Sequence, residues 1–572
     1  MAQLRELAKL PPPLWRVKTQ SDSVCEKLAN AVSVDAVIAQ ILINRGVRSV
    51  QAARHVLDIQ NLPAVYFPDT WVQKATAILQ KLPAGSTVLL YGDYDVDGIT
   101  STSVMIRVLS ALGFKPKYYI PDRFNDGYGL TDRVYSLVQD WGPAALITLD
   151  CGVTNVTECA WLKKQYPALS IIVVDHHQVP DPQPNVDLIV DPKLLPANHG
   201  YFDLCTVGIV YHFFNQVFDH MHQASPLKND LDLVAIGTVA DVAQLSPVNR
   251  ALVRNGLAHM QHSKRPGLCA LMRAAGLEPG KPVTSRDIGF GLAPLLNAAG
   301  RLANATMCVE LMTAEDMDTA DALANKLKRL NQERRTLTQT TMDEAIAYLE
   351  SNPEIETHSV LVVSGRNWHP GVIGIVAARI TDRYHRPSLV IGYNDTEARG
   401  SARSVECVNV YQLIKANAQY LTKFGGHHQA AGFSLKTSQL SGFNAAMSAH
   451  ASTVLSANDL RPVIVIDAEL PSDRINSDFY NQLHCLAPFG PNNSEPIFVA
   501  TLRVIESRVL KDKHLKVRLY DDATRVVVDG IGFDLADRLP AVQKAYCSVV
   551  FHLQTNTWQG RTSMQLMIKD IR

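Results

Sequence analysis

Between residues 70 and 245, short uninterrupted apolar runs alternate with stretches of helical periodicity. The runs are Val88–Tyr91, Ala144–Leu149, Ile171–Val174 and Leu188–Val190. This alternation predicts βαβ units built on a parallel sheet. The first three runs lead into Asp93, Asp150 and Asp175. Ligands of open α/β sheets bind beyond the carboxyl ends of the strands, so these acids are expected to converge there.

The rest of the chain follows different rhythms. Val34, Val37, Ile38, Ile41 and Leu42 recur at helical spacing and Gly46 marks a stop, which predicts a helix within a small N-terminal cap over residues 1–65. The parallel-sheet domain is expected over 66–315. Residues 318–350 hold neither Gly nor Pro; as one helix they would extend roughly 50 Å. This connecting segment, 316–352, reads as a strut between two lobes that leaves a cleft beside it. A smaller α/β unit follows at 353–455, with strands at Val360–Val363 and Ser388–Ile391 and a helix at Gly374–Ile380. Over 456–572 the β-rich runs Val463–Ile466, Ile497–Ile505, Leu515–Tyr520, Val526–Ile531 and Cys547–Leu553 suggest a small barrel or sandwich.

Composition narrows the class only slightly. The 572 residues are 47% hydrophobic and 19% charged, with Lys+Arg and Asp+Glu both at 55, so any basic surface must be local. Nine cysteines without a CxxC pair argue against a zinc ribbon or a disulfide framework, and point to a reducing cytoplasm. No run approaches the ~18 apolar residues of a membrane span.

The chemistry lies in YGDYDVDG at residues 91–98 and VVDHH at 173–177. Asp93, Asp95 and Asp97 alternate, and three carboxylates this close repel one another unless cations sit among them. Hard divalent ions with oxygen and imidazole ligands answer that need. Any one of these aspartates can instead cap a helix or hold a turn; the set, with Asp150 in LDCG, two imidazoles in DHH and Asp241 after the apolar run Leu233–Ala240, is harder to explain so. Five aspartates bring about −5, two divalent ions return about +4, and a phosphodiester adds about −1, so side-chain cations must complete the site.

YGDYDVDG, LDCG, DHH and ADV, in this order and spacing, resemble the four motifs of the DHH phosphoesterase superfamily. GGHHQAAG at 425–432 is similar to the glycine-histidine motif of the accessory DHHA1 domain. Together with NAAGR at 297–301, the helical connector and the β-rich tail, these motifs resemble the RecJ family of bacterial single-strand-specific 5′→3′ exonucleases. The resemblance implies a multidomain α/β protein: a parallel-sheet DHH domain, a long helix, a smaller α/β DHHA1 domain and a C-terminal OB-like β-barrel. It implies two Mn²⁺ or Mg²⁺ ions, one held by Asp93, Asp95 and Asp150, the other by Asp97, Asp150, His176 and Asp241. Asp175 would orient a ligand, and His177 would approach the substrate phosphate. Ser401 and Arg403 in RGSARS would hold the 5′ phosphate, and Arg123 and Arg301 the DNA backbone. His369, Gly425, Gly426, His427 and His428 would line the accessory domain's substrate face. The implied reaction is two-metal hydrolysis releasing 5′-mononucleotides, in repair and recombination alongside single-strand-binding protein and a helicase. The balanced charge suggests a monomer.

Within residues 501–520, Arg503, Arg508, Lys511, Lys513, Lys516 and Arg518 outweigh Glu506 and Asp512, a basic strand face of the kind that follows single-stranded nucleic acid. Rival readings are a DHH/DHHA1 phosphodiesterase for short RNA or cyclic dinucleotides, for which so long a tail is superfluous, and a non-catalytic DNA-binding scaffold, against which the complete ligand set argues. An inorganic pyrophosphatase would match the metal motifs and leave most of the chain unexplained.

Overall fold

The computed structural model describes residues 12–19, 22–58, 64–352, 358–456, 459–558 and 561–572. The chain divides into two compact units. One holds Val17–Lys328 with Val465–Arg572, the other Arg329–Ile464 with the short segment ending at Arg16.

The first unit is built on five parallel strands: β1 (Thr87–Gly92), β2 (Lys115–Tyr119), β3 (Ala145–Leu149), β4 (Ser170–Val174) and β5 (Leu188–Val190), in the order β2-β1-β3-β4-β5. The apolar runs form the three buried interior strands and the short edge strand β5. β2 lies outside that pattern, because its Lys-Pro-Lys-Tyr-Tyr sequence belongs to a half-exposed edge strand. Register levels the strand ends: Gly92 pairs with Leu149, Leu149 with Val174, and Val174 with Val190. Backbone bonds then carry the alignment one residue further. Asp93 N–H donates to Leu149 O (3.1 Å), Asp150 N–H to Val174 O (3.0 Å) and Asp175 N–H to Val190 O (3.2 Å).

Four helices frame that edge: α1 (Val96–Ala111), α2 (Thr206–His220), α3 (Leu231–Ala240) and α4 (Ala293–Leu302). The run Leu233–Ala240 is the body of α3, and Asp241 is its C-cap. Helix α5 (Met317–Ser351) carries the chain from this unit into the second as one uninterrupted element.

In the second unit, β6 (Leu361–Arg366) is followed by α6 (Pro370–Tyr384), β7 (Ser388–Tyr393), β8 (Glu397–Arg403), β9 (Lys423–Gly426) and β10 (Ala430–Lys436); the sheet order is β9-β10-β8-β7-β6.

The chain's C-terminal part is a six-stranded sheet closed on itself: β11 (Ala468–Glu469), β12 (Phe498–Leu510), β13 (His514–Tyr520), β14 (Val527–Gly532), β15 (Tyr546–Trp558) and β16 (Arg561–Ile571). The long strand β12, bulged between Val504 and Glu506, pairs with both β13 and β15, as barrel closure requires. Sequence patterning misses β16, whose polar residues interrupt the apolar alternation. The amphipathic N-terminal helix spans Ala36–Asn44, and Gly46 adopts φ 82° beyond it. Its Ile38, Ile41 and Leu42 share one hydrophobic core with Leu470, Phe479, Phe498 and Phe551 of the barrel region. This helix completes the barrel's core, a partnership between chain ends that no local pattern announces.

Candidate metal centre and phosphate-binding strand

The levelled strand ends place Asp93, Asp150 and Asp175 side by side, and each is buried. Asp95 caps α1, accepting from Asp97 N (3.0 Å) and Gly98 N (3.1 Å). Asp97 turns inward and accepts from Thr206 N (2.6 Å) and Val207 N (2.9 Å) at the start of α2. Thr206 Oγ1 donates to Asp150 Oδ1 (3.1 Å), and His176 Nε2 lies 3.2 Å from the same oxygen. Asp150 holds φ 66°, a left-handed conformation that aspartate tolerates better than most residues, and Gly152 follows at φ 106°.

Ligand atoms converge in three groups, each within 4.8 Å: Asp93, Asp95 and Asp150; Asp97, His176 and Asp241; Asp150, His176 and His177. Electrostatics shows what this grouping lacks. Burial, then the charge of Asp95, pushes Asp93 well above the ordinary carboxylate range, and the same forces raise Asp97 to about 6. Burial and the carboxylates of Asp95, Asp97, Asp93 and Asp175 raise Asp150. Burial with Asp97 and Asp95 lifts Asp241 to about 8. Asp93 Oδ1 is buried and has no hydrogen-bond partner. Acids that destabilise one another this strongly, with an unsatisfied oxygen among them, fit divalent cations.

The two histidines diverge. Burial and the neighbouring His177 lower His176 to about 4, so its imidazole is neutral and suited to coordination. Burial opposes charge on His177 too, but the hydrogen bond between its Nδ1 and Asp175 Oδ1 (2.7 Å) lifts it to about 9. Asp175 would be raised by burial, yet its bond with His177 and the charges of both histidines hold it below its ordinary value. Asp175 also accepts from Val153 N (3.1 Å) and His176 N (2.8 Å).

Three further residues belong here that the motifs do not single out. The Tyr128 hydroxyl lies 3.2 Å from His177 Nδ1 and 3.4 Å from Asp150 O. Thr206 joins Asp97 to Asp150. Asp191, directly after β5, is fully buried, with Oδ2 unpartnered and its pKa raised by burial, then Asp175, to about 8. The strand-end rule that found the other aspartates extends to Asp191, since Leu188–Val190 also runs into an acid.

Beside this cluster the Arg123 guanidinium stacks 5.1 Å from the Tyr94 ring. Burial and Asp93 raise the Tyr94 hydroxyl to about 12 while Arg123 and Arg301 pull it down, which places both cations near the DYD turn. Arg301 lies in the last turn of α4, and Gly300 next to it packs so closely that a Cβ would meet Tyr94 O at 2.7 Å.

In the second unit, β8 carries Ser401 and Arg403, with Arg403 Nη1 donating to Ser401 Oγ (3.1 Å). β10 lies antiparallel to it, pairing Gly432 with Ser401 and Ala430 with Arg403. Two motifs separated in the chain are thus adjacent strands. Gly425 and Gly426 end β9, and His427 and His428 form the turn before β10. Gly426 adopts φ 147°, where a Cβ would strike Ala430 O at 2.5 Å. His369 caps α6, its Nδ1 accepting from Gly371 N (3.0 Å). Gly374, one turn on, leaves room for Ser401 Oγ at 3.0 Å from its would-be Cβ.

The barrel's basic face is more neutral than counting over 501–520 suggests. Arg503 pairs with Asp522 (3.2 Å), Lys513 with Asp534 (3.0 Å) and Arg518 with Asp529 (3.0 Å), acids lying beyond that window. Arg508, Lys511 and Lys516 have no ion-pair partner among the described residues.

Comparison with known proteins agrees with this architecture. Family models match over residues 87–238 (DHH family, N-terminal domain), 357–453 (DHHA1 domain) and 466–570 (RecJ OB domain). The single-stranded-DNA-specific exonuclease RecJ of Escherichia coli is 31% identical over 559 residues, covering 93% of this chain and 95% of that protein. RecJ of Bacillus subtilis is 31% identical over 567 residues, 97% of this chain and 70% of its own. The crystal structure of RecJ from Thermus thermophilus in complex with Mn²⁺ superposes with a TM-score of 0.83 at 28% identity, covering 99% of this chain and 80% of that one. The same protein has also been crystallised with Mg²⁺. With its DHH, DHHA1 and OB domains in one chain and its acids gathered at one sheet edge, the chain belongs to the RecJ family of single-stranded-DNA-specific exonucleases.

Proposed function

We propose that this chain is a metal-dependent exonuclease that digests single-stranded DNA from the 5′ end and releases 5′-mononucleotides. The observation that carries the reading is Asp150, which groups with Asp93 and Asp95 on one side and lies 3.2 Å from His176, a member of the group with Asp97 and Asp241, on the other. Asp93 and Asp95 would hold one ion with it; Asp97, His176 and Asp241, a group of their own joined to Asp150 through His176, would hold the other. When bound, two such ions supply Lewis acidity, a water of lowered pKa and charge to stabilise the leaving oxygen.

The side chains do the rest. Asp175 holds His177 as imidazolium near neutral pH, and Tyr128 limits its rotation, so a fixed positive charge faces the scissile phosphate. Arg123 and Arg301 neutralise backbone phosphates beside the DYD turn. Ser401 and Arg403 grip the terminal 5′ phosphate, a hydroxyl and a guanidinium on one strand face. Each cleavage leaves a new 5′ phosphate for the same grip. The barrel's unpaired Arg508, Lys511 and Lys516 add sequence-independent attraction.

A reducing, cytoplasmic setting suits the cysteines, none of which is disulfide-bonded. Among the described residues no helix is long and apolar enough to cross a membrane. Monomeric action alongside single-strand-binding protein and a helicase completes the proposal. The test presents 5′- and 3′-labelled single strands, duplex DNA, short RNA and a cyclic dinucleotide with Mn²⁺ or Mg²⁺. Early release of the 5′ label as a mononucleotide, from single strands only, is expected; preference for the cyclic dinucleotide or early release of the 3′ label would overturn it.

A further inference from the structure

Helix α4 is preceded by a π-helical turn, Ile288–Leu292, that packs on α3: a Cβ on Gly289 would lie 3.9 Å from Val239, two residues before Asp241. At its outer side stands Phe290, 81% exposed and flanked by Gly289 and Gly291. Such turns are rare in helices and concentrate at functional sites. A second irregularity follows the end of α3, the helix it packs on. Val242, next to Asp241, is 65% exposed and holds φ 60°, a left-handed conformation that a β-branched side chain disfavours. The Arg286 guanidinium lies 5.7 Å from the Phe290 ring, and no carboxylate pairs with it among the described residues. The π-helical turn thus presents an exposed aromatic ring with a guanidinium over it that no described carboxylate pairs, on a segment packed against the helix that ends at Asp241. Farther along the same helix, about 16 Å from Phe290 at helical rise, stands Arg301.

We infer that Phe290 is a stacking platform for one unpaired nucleobase of the substrate strand, with Arg286 holding an adjoining phosphate. An aromatic face flanked by a guanidinium is the pairing that single-strand binders use for base and backbone. A base inside a duplex is already stacked on both faces, so Phe290 favours single strands at the point of cleavage. The inference rests on the exonuclease reading and adds a specificity residue to it. Phe290 is not a metal ligand, and its exposure leaves little packing to lose on truncation.

The experiment couples the side chain to the base. Single-turnover cleavage with Mn²⁺ is measured on 5′-phosphorylated strands in which one nucleotide at a time is replaced by an abasic spacer. In the wild type, one position relative to the cut is expected to lose about 5–150-fold in kcat/KM. Phe290→Ala should lose a similar factor on the intact strand and show no further loss with the spacer at that position, while Phe290→Trp keeps the wild-type pattern. Wild-type rates for Phe290→Ala, or an equal loss for every spacer strand including that one, would overturn the stacking role and leave the exonuclease reading standing. A wild type that cuts no single strand would overturn both.

Discussion

Two clusters of aspartates in the same domain differ in what compensates their charge. At the metal centre, the buried Asp93, Asp97 and Asp150 and the half-buried Asp241 have mostly one another for company, and all are pushed upward. At the start of α3, the fully buried Asp230 is bonded by Arg265 Nη2 (2.6 Å) and Arg107 Nε (3.1 Å). Its neighbour Asp232 accepts from Ser263 Oγ (2.8 Å), with Arg265 Nε at 3.7 Å and His259 Nδ1 at 3.8 Å. Burial keeps Asp230 above its ordinary value despite both guanidiniums, whereas His259 and Arg265 overcome burial at Asp232 and hold it below its own. Buried acid is therefore not in itself the mark of a metal centre. The mark is buried acid whose compensating charge the chain does not provide.

The difference can be broken at either end. Asp150→Asn should cost about 10²–10³-fold or more in cleavage rate, since it removes the carboxylate proposed to serve both ions. Because it also relieves repulsion, the metal-free variant should melt no lower than metal-free wild type. Lower melting would show that Asp150 is held by structural pairing instead. Arg265→Ala should do the reverse, leaving both Asp230 and Asp232 short of a partner and costing about 3–5 kcal/mol of stability. Denaturant unfolding measures this, and a loss under about 1 kcal/mol would dissolve the contrast.

A smaller effect concerns pH. Asp97 and Asp241 titrate near 6 and 8, above the ordinary 3.8. Carboxyls with raised folded pKa favour the folded state while protonated. That contribution is complete below the unfolded pKa and is lost as pH rises through about 6 and about 8. Metal-free stability should therefore fall across that window, and the rise in Tm on adding Mn²⁺ should be larger at pH 8 than at pH 6. An equal rise at both would contradict the repulsion. Smallest is Arg403→Ala, expected to lose about 10-fold more on 5′-phosphorylated than on 5′-hydroxyl strands. Equal losses would remove the phosphate grip.

Sequence makes the sheet legible because buried parallel strands are short apolar runs, and it points to the acids because they follow those runs. Alternating polar edge strands such as Lys115–Tyr119 carry no such signature. The pairing of β8 with β10, which sets Gly432 against Ser401, depends on register between distant segments. So does the joint core of the Ala36–Asn44 helix and the barrel. A local count misjudges the barrel's charge because cross-strand partners such as Asp529 lie outside any short window. Tyr128 escapes notice because a single tyrosine between glycines has no spacing to read; only the folded loop brings its hydroxyl to His177.

The aspartates of the metal centre carry charge that the chain's own cations leave uncompensated. Calorimetric titration of metal-free protein with Mn²⁺ at a pH of about 7.5 tests it directly. About two ions per chain are expected in the wild type, with binding lost or reduced to a single weak site in Asp150→Asn and unchanged in Arg265→Ala. No uptake by the wild type, or identical uptake by Asp150→Asn, would contradict it.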